Sequence, residues 1–151
     1  MDKNKNLTIE ETFNLAVQKH QKNNIKEAQE LYNQVLKNNP SHAQALNNLA
    51  VIFTNLKEHQ KAKDCYKKAI ESDPNYADVH NNLGVVFKDL GENQKAKECY
   101  EKAIELNPNY ANAYYNIGLV CKELGEYQKS KKSFEKVIEI NPNHINAHNN
   151  L

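Results

Sequence analysis

Apolar residues return along this chain at helical spacing, in paired bursts that restart every 34 residues. In the stretch Ala77-Asp78-Val79-His80-Asn81-Asn82-Leu83-Gly84-Val85-Val86-Phe87, the side chains of Val79, Leu83, Val86 and Phe87 fall on one helical stripe. Leu90-Gly91-Glu92 follows as a turn. A second stripe runs through Ala96, Tyr100, Ala103 and Ile104, with Lys95, Lys97, Glu98 and Lys102 on the polar faces. The burst stops at Asn107-Pro108-Asn109, because proline cannot continue a helix and restricts the residue before it. The pattern predicts two helices per unit.

Four prolines mark the period: Pro40, Pro74, Pro108 and Pro142 lie 34 residues apart. With each proline at repeat position 32, the frames are 9–42, 43–76, 77–110 and 111–144, followed by a fifth start over 145–151. Position 7 holds Leu15, Leu49, Leu83 and Ile117, and position 24 holds Tyr32, Tyr66, Tyr100 and Phe134. Small residues recur at position 8 (Ala16, Ala50, Gly84, Gly118) and at position 20 (Ala28, Ala62, Ala96, Ser130). They let paired helices approach, and the large rings fill the space between. Position 15 calls for a left-handed residue at a helix end. Gly91 and Gly125 supply it and Asn23 tolerates it, whereas Lys57 fits poorly, at a cost of ~1 kcal/mol.

This pattern resembles the tetratricopeptide repeat (TPR) family, over about 136 of the 151 residues. The resemblance implies an all-α fold, a right-handed α-α superhelix of antiparallel helix pairs. It specifies packing rather than function, since the residues that define the family are those that pack. Residues 1–8 are expected to form a flexible N-terminal tail and a helix cap, with Thr8 and Glu11 as a capping box. At the other end, Ile145 to Leu151 restarts the repeat and stops at position 7 without a polar closing helix. Repeat arrays normally close with one, which leads us to expect a longer natural chain.

Composition narrows the chemistry. The net charge is +1, all 20 basic residues are Lys, and Asn, with 24 copies, is the commonest residue. A chain without Arg lacks the planar fork that grips phosphates and base edges, so no nucleic-acid partner is expected. No apolar run approaches the ~20 residues that a membrane span needs, so no membrane partner is expected either. The six His are spread along the repeats rather than gathered, and Cys65 and Cys99 sit one repeat apart, beyond disulfide reach. No metal or cofactor is expected. No catalytic motif is present, and three free thiols suit a reducing cytoplasm.

What remains is a binding surface. In TPR proteins positions 2, 5, 6, 9, 12 and 13 of the first helix face a concave groove. Position 6 here is Asn in every unit: Asn14, Asn48, Asn82, Asn116 and, in the fragment, Asn150. Position 5 adds Asn47, Asn81 and Tyr115. An Asn carries a donor and an acceptor together, so a column of them can bond both groups of an extended peptide backbone. The column is similar to the asparagine ladder of O-linked N-acetylglucosamine transferases, which holds substrate chains by their main chain. Position 9 departs from that pattern, with Val51, Val85 and Leu119 laying an apolar strip beside the column. Repeats that grip the carboxylate end of heat-shock chaperones use Lys or Arg at positions 2, 5 and 6. None stands there in this chain, so that mode is not expected.

The expected function is a scaffold that binds a peptide or protein segment in an Asn-lined groove. Two alternatives stay open: the substrate-recruiting arm of a longer enzyme, such as a glycosyltransferase or another transferase, and a module that self-associates end to end through its uncapped C-terminus.

Overall fold

The computed structural model describes residues 7–151, so most of the expected tail, residues 1–6, lies outside the described residues. The described chain is helical throughout, without a strand. Its elements are α1 (Ile9–Gln21), α2 (Ile25–Asn38), α3 (Ala43–Asn55), α4 (His59–Ser72), α5 (Ala77–Asp89), α6 (Asn93–Leu106), α7 (Ala111–Glu123), α8 (Tyr127–Ile140) and the short α9 (Ile145–Asn149). They divide into two compact units, the first ending at Pro74 and the second starting at Asn75. The first holds the hairpins α1/α2 and α3/α4. The second holds α5/α6 and α7/α8, with α9 against α8.

Local chemistry sets the helix limits. At the start of α1, Thr8 Oγ1 accepts from the Glu11 backbone N–H, and the Glu11 carboxylate accepts from the Thr8 N–H. This capping box satisfies two donors the helix cannot. Each first helix ends in a left-handed residue: Asn23, Lys57, Gly91 and Gly125 have φ of 60°, 61°, 74° and 75°. The following amide then reaches back five residues, as in Asn24 N–H to Lys19 C=O (2.8 Å) and Glu126 N–H to Cys121 C=O (2.8 Å). Lys57 adopts this geometry despite its Cβ, closing with Glu58 N–H to Phe53 C=O at 2.8 Å. Before the prolines, the side chains of Asn39, Asn107 and Asn141 accept from the backbone N–H two residues on, at 3.1–3.2 Å. Each Asn thereby fastens the turn its proline opens.

Inside each hairpin a ring at position 24 is packed on a small residue at position 8. Tyr32, Tyr66, Tyr100 and Phe134 are essentially inaccessible. In the second unit the fit leaves no space: a Cβ added at Gly84 would stand 2.5 Å from the Tyr100 ring, and one at Gly118 would stand 2.7 Å from Phe134. Ser130, at the small position 20, donates its hydroxyl to the Gly118 carbonyl at 2.8 Å, so its polar atom costs the core nothing.

One lysine departs from the expected solvated face. Lys97 is only 7% exposed, and its ammonium donates to both carboxylate oxygens of Glu126 at 2.7 and 2.8 Å. Lys97 stands at position 21, with Cys121 and Glu126 of the next repeat beside its charge. Phe53 and Phe87 stand under the ammonium groups of Lys61 and Lys95, at 5.4 and 5.5 Å from the ring centroids. Cys121 replaces the ring, and its Sγ lies 3.8 Å from the Glu126 carboxylate that Lys97 reaches. The hydrogen bond holds the Lys97 ammonium above its ordinary pKa against the opposing effect of burial.

Candidate functional site

The candidate surface is carried by the first helices α1, α3, α5 and α7, which set positions 5, 6 and 9 on adjoining strips because they lie one, three or four residues apart. The ten predicted residues differ in how they are placed. Asn14 is exposed, and its amide donates to Glu10 at 3.4 Å. Asn47 and Asn81 are buried, at 6% and 5% exposure. Each turns its amide to its neighbour: Asn47 donates to Asn48 Oδ1 at 3.3 Å and Asn81 donates to Asn82 Oδ1 at 3.4 Å. Position 5 is therefore the inner strip, and position 6, at Asn48, Asn82 and Asn116, is the half-buried outer one.

In the first unit Asn48 donates onward to the hydroxyl of Tyr32 at 3.2 Å. In the second, Asn116 donates to Asn81 Oδ1 at 3.0 Å, joining α7 to α5. The Asn column is thus wired to itself and, in one place, to the core ring beneath it. Val51, Val85 and Leu119 are half buried. Val85 packs on the cluster around Tyr100 and Val120, and Leu119 on the one around Phe134 and Val137, so much of the apolar strip supports the helices. Tyr115 belongs to that support as well, with its ring centroid 5.7 Å from Phe134.

Sequence reasoning missed two groups of partners. His42 and His144 each accept a hydrogen bond through Nδ1 from the backbone N–H three residues on, capping α3 and α9, at 3.2 and 3.1 Å. The same rings stack against Phe13 and Tyr115, with centroids 4.8 and 5.1 Å apart. A signal for this exists in the sequence, since aromatic position 5 and His at position 34 occur in the same two repeats. Tyr76 and Tyr110 replace His in the repeats whose position 5 is Asn, and neither caps through its side chain. Burial, with a hydrogen bond to Asp78, raises the pKa of the Tyr110 hydroxyl.

The second missed group is the set of tyrosine hydroxyls below the column. Tyr32 meets Asn48, and Tyr66 meets the Thr54 hydroxyl at 3.4 Å. The Tyr100 hydroxyl is buried and has no hydrogen-bond partner. Burial pushes the pKa of Tyr66 up to about 12 and raises that of Tyr100 as well. No phase of the repeat announces which hydroxyl will be left over.

A hollow of about 360 Å³ in the first unit, floored by Leu36, Leu49 and Phe53 with Lys61 and Lys68 among its lining, holds none of the Asn column. Among the described residues, no helix is long and apolar enough to cross a membrane.

Two-helix units repeated along the chain define a helical repeat protein. The tetratricopeptide repeat profile matches residues 43–76, 77–110 and 111–144, and a second profile of the same description matches 13–42. This chain belongs to the tetratricopeptide repeat family. Among solved structures it is similar to MamA, at 31% identity and a TM-score of 0.81, over 89% of this chain and 79% of that one. It is also similar to PilF of Pseudomonas aeruginosa, at 28% identity and a TM-score of 0.85, over 92% of this chain and 64% of that longer one. A third likeness is to the first TPR of Spaghetti (RPAP3) bound to the HSP90 peptide SRMEEVD, at 27% identity and a TM-score of 0.69, over 71% of this chain and 85% of that one. No curated protein matches. Because 450 solved chains share the fold, the fold alone does not choose a partner.

Proposed function

We propose that the chain is a protein-interaction module that holds an extended peptide segment by its main chain, along the Asn strips of its first helices. The observation that carries this reading is the composition of the column. Asn47 and Asn48 in the first unit and Asn81, Asn82 and Asn116 in the second offer amides and carbonyls, and none of the groove positions 5 and 6 carries a charge. Asn14, Val51, Val85, Tyr115 and Leu119 complete the surface. The peptide seen on the RPAP3 repeat shows what the fold can hold, and its acidic end would call for cations that this column lacks. Binding through neutral dipoles is weakly dependent on salt. Ordering an extended segment costs entropy, which sets the affinity in the micromolar range.

The test starts with a ten-residue peptide selected from a random display library on the immobilised chain. Its affinity should change less than threefold from low to moderate salt, and Asn82→Ala with Asn116→Ala should weaken it at least tenfold in a chain that stays folded, with a stability loss limited to the ~1–2 kcal/mol of the two Asn81 hydrogen bonds removed. A steep salt dependence overturns the reading. So does a double variant that melts instead of losing its ligand, for the column would then be structural.

A further inference from the structure

The second unit contains a buried hydroxyl without a partner and, at the repeat position that supplies the partner in the first unit, an asparagine bonded elsewhere. Tyr100 lies at position 24 and Asn116 sixteen residues on, the same separation that joins Tyr32 to Asn48 in the first unit. Tyr100 packs in one cluster with Ile117 and Val120, the α7 neighbours of Asn116. Yet Asn116 donates to Asn81 Oδ1 instead, and the Tyr100 hydroxyl, fully enclosed, makes no hydrogen bond. Its other route is closed too. Where Tyr66 meets Thr54, the equivalent residue beside Tyr100 is Lys88, and Lys88 is drawn to the Glu123 carboxylate at 3.5 Å.

A buried hydroxyl without a partner is costly, and native structures keep few of them. We infer that Asn116 is a two-position side chain: in the free protein it rests on Asn81, and when a peptide segment arrives it turns onto the Tyr100 hydroxyl, leaving Asn81 Oδ1 to accept a main-chain N–H of the ligand. This rests on the reading of the column as a peptide-binding surface. The exchange favours binding. One Asn–Asn bond is replaced by an Asn–Tyr bond already realised in the first unit, the orphan hydroxyl is satisfied, and the freed acceptor is filled by the ligand. Tyr100 is thereby a positioning residue for the site although it lies beneath it, and the ligand group it selects for is a backbone N–H donor. A proline at that ligand position would have nothing to offer Asn81.

The experiment compares the intact chain with Tyr100→Phe in two ways. In the free proteins, relaxation dispersion on the Asn116 side-chain amide should show microsecond-to-millisecond exchange that Tyr100→Phe abolishes. With the selected ten-residue peptide, Tyr100→Phe should bind five- to tenfold more weakly while melting no lower than the parent. A structural hydroxyl cannot give that combination, because its removal would lower the melting temperature. The inference falls if Tyr100→Phe binds the peptide like the parent, if it melts lower, or if the Asn116 amide of the parent shows no exchange. Should no peptide bind the parent at all, the interaction reading fails, and the exchange measurement decides the switch by itself.

Discussion

The two units solve one packing problem with different residues. In the first, Ala16 and Ala50 face Tyr32 and Tyr66, and both hydroxyls find partners, in Asn48 and Thr54. In the second, Gly84 and Gly118 face Tyr100 and Phe134, the rings take the space a Cβ would need, and the Tyr100 hydroxyl has no partner. Turn residues divide the same way, with Asn23 and Lys57 in the first unit and Gly91 and Gly125 in the second. The first unit thus gives both tyrosine hydroxyls partners and tolerates strained turns, while His59 Nδ1 stays buried without a partner. The second relaxes its turns and leaves the Tyr100 hydroxyl without one. A repeat fold fixes positions, and each unit distributes its imperfections independently.

The largest expected effect breaks the packing half of that comparison. Gly84→Ala puts a methyl 2.5 Å from the Tyr100 ring and should cost ~2 kcal/mol by overpacking, offset in part by the better helix propensity of Ala. Ala50→Gly should cost ~1 kcal/mol through lost propensity, so exchanging the residue between units hurts both. Urea titrations of the two variants read this out. Equal stability for Gly84→Ala and the parent would show that the rings have room to shift.

Next come the hydroxyls. Tyr32→Phe should lose ~1 kcal/mol, because it breaks a bond and strands the Asn48 amide. Tyr100→Phe should lose nothing or gain, since the atom it removes is unpartnered. Thermal melts of the pair, run side by side, give the sign directly.

Turn exchange is of similar size and opposite sign. Lys57→Gly should raise stability by up to ~1 kcal/mol, because φ of 61° is strained for any residue with a Cβ, whereas Gly125→Ala should lower it by about the same amount. Calorimetry that found Lys57→Gly neutral would show that the lysine side chain compensates for its backbone.

The smallest effect distinguishes two thiols at the same repeat position. Burial raises the pKa of both Cys65 and Cys99; Lys68 opposes the rise at Cys65, and Glu98 adds to it at Cys99, which reaches about 11. Iodoacetamide at mildly alkaline pH should therefore label Cys65 faster than Cys99, as peptide mapping would show. The linkage has a definite sign. The unfolded Cys99 thiol ionises near 9 and the folded one near 11, so its contribution to stability is complete below pH 9 and fades as pH rises from 9 to 11. Equal labelling rates would mean that neighbouring charges are fully screened.

Much of this architecture is legible in the sequence. The 34-residue period locates the packing residues, because paired helices need the same small and large side chains at each level. The capping box at Thr8 and the left-handed turn at Lys57 are equally readable, since both depend on neighbours within a few residues. The burial of Lys97 is not. It depends on Glu126, 29 residues away on the next repeat, whose carboxylate receives the ammonium. The Asn column is readable as a set of residues, and its wiring is not, because Asn48 and Asn116 share a repeat position yet donate to different partners.

By itself, then, the sequence determined the helix pairs, their turns and the residues between them, for these follow from periodicity and from backbone chemistry that acts over one or two turns. Only the tertiary structure decided which amide meets which hydroxyl. That choice depends on side-chain rotation among groups brought together from different helices, and several arrangements of the same residues satisfy the repeat equally well. The unpartnered hydroxyl of Tyr100 is the product of that choice, and no periodic pattern could have foretold it.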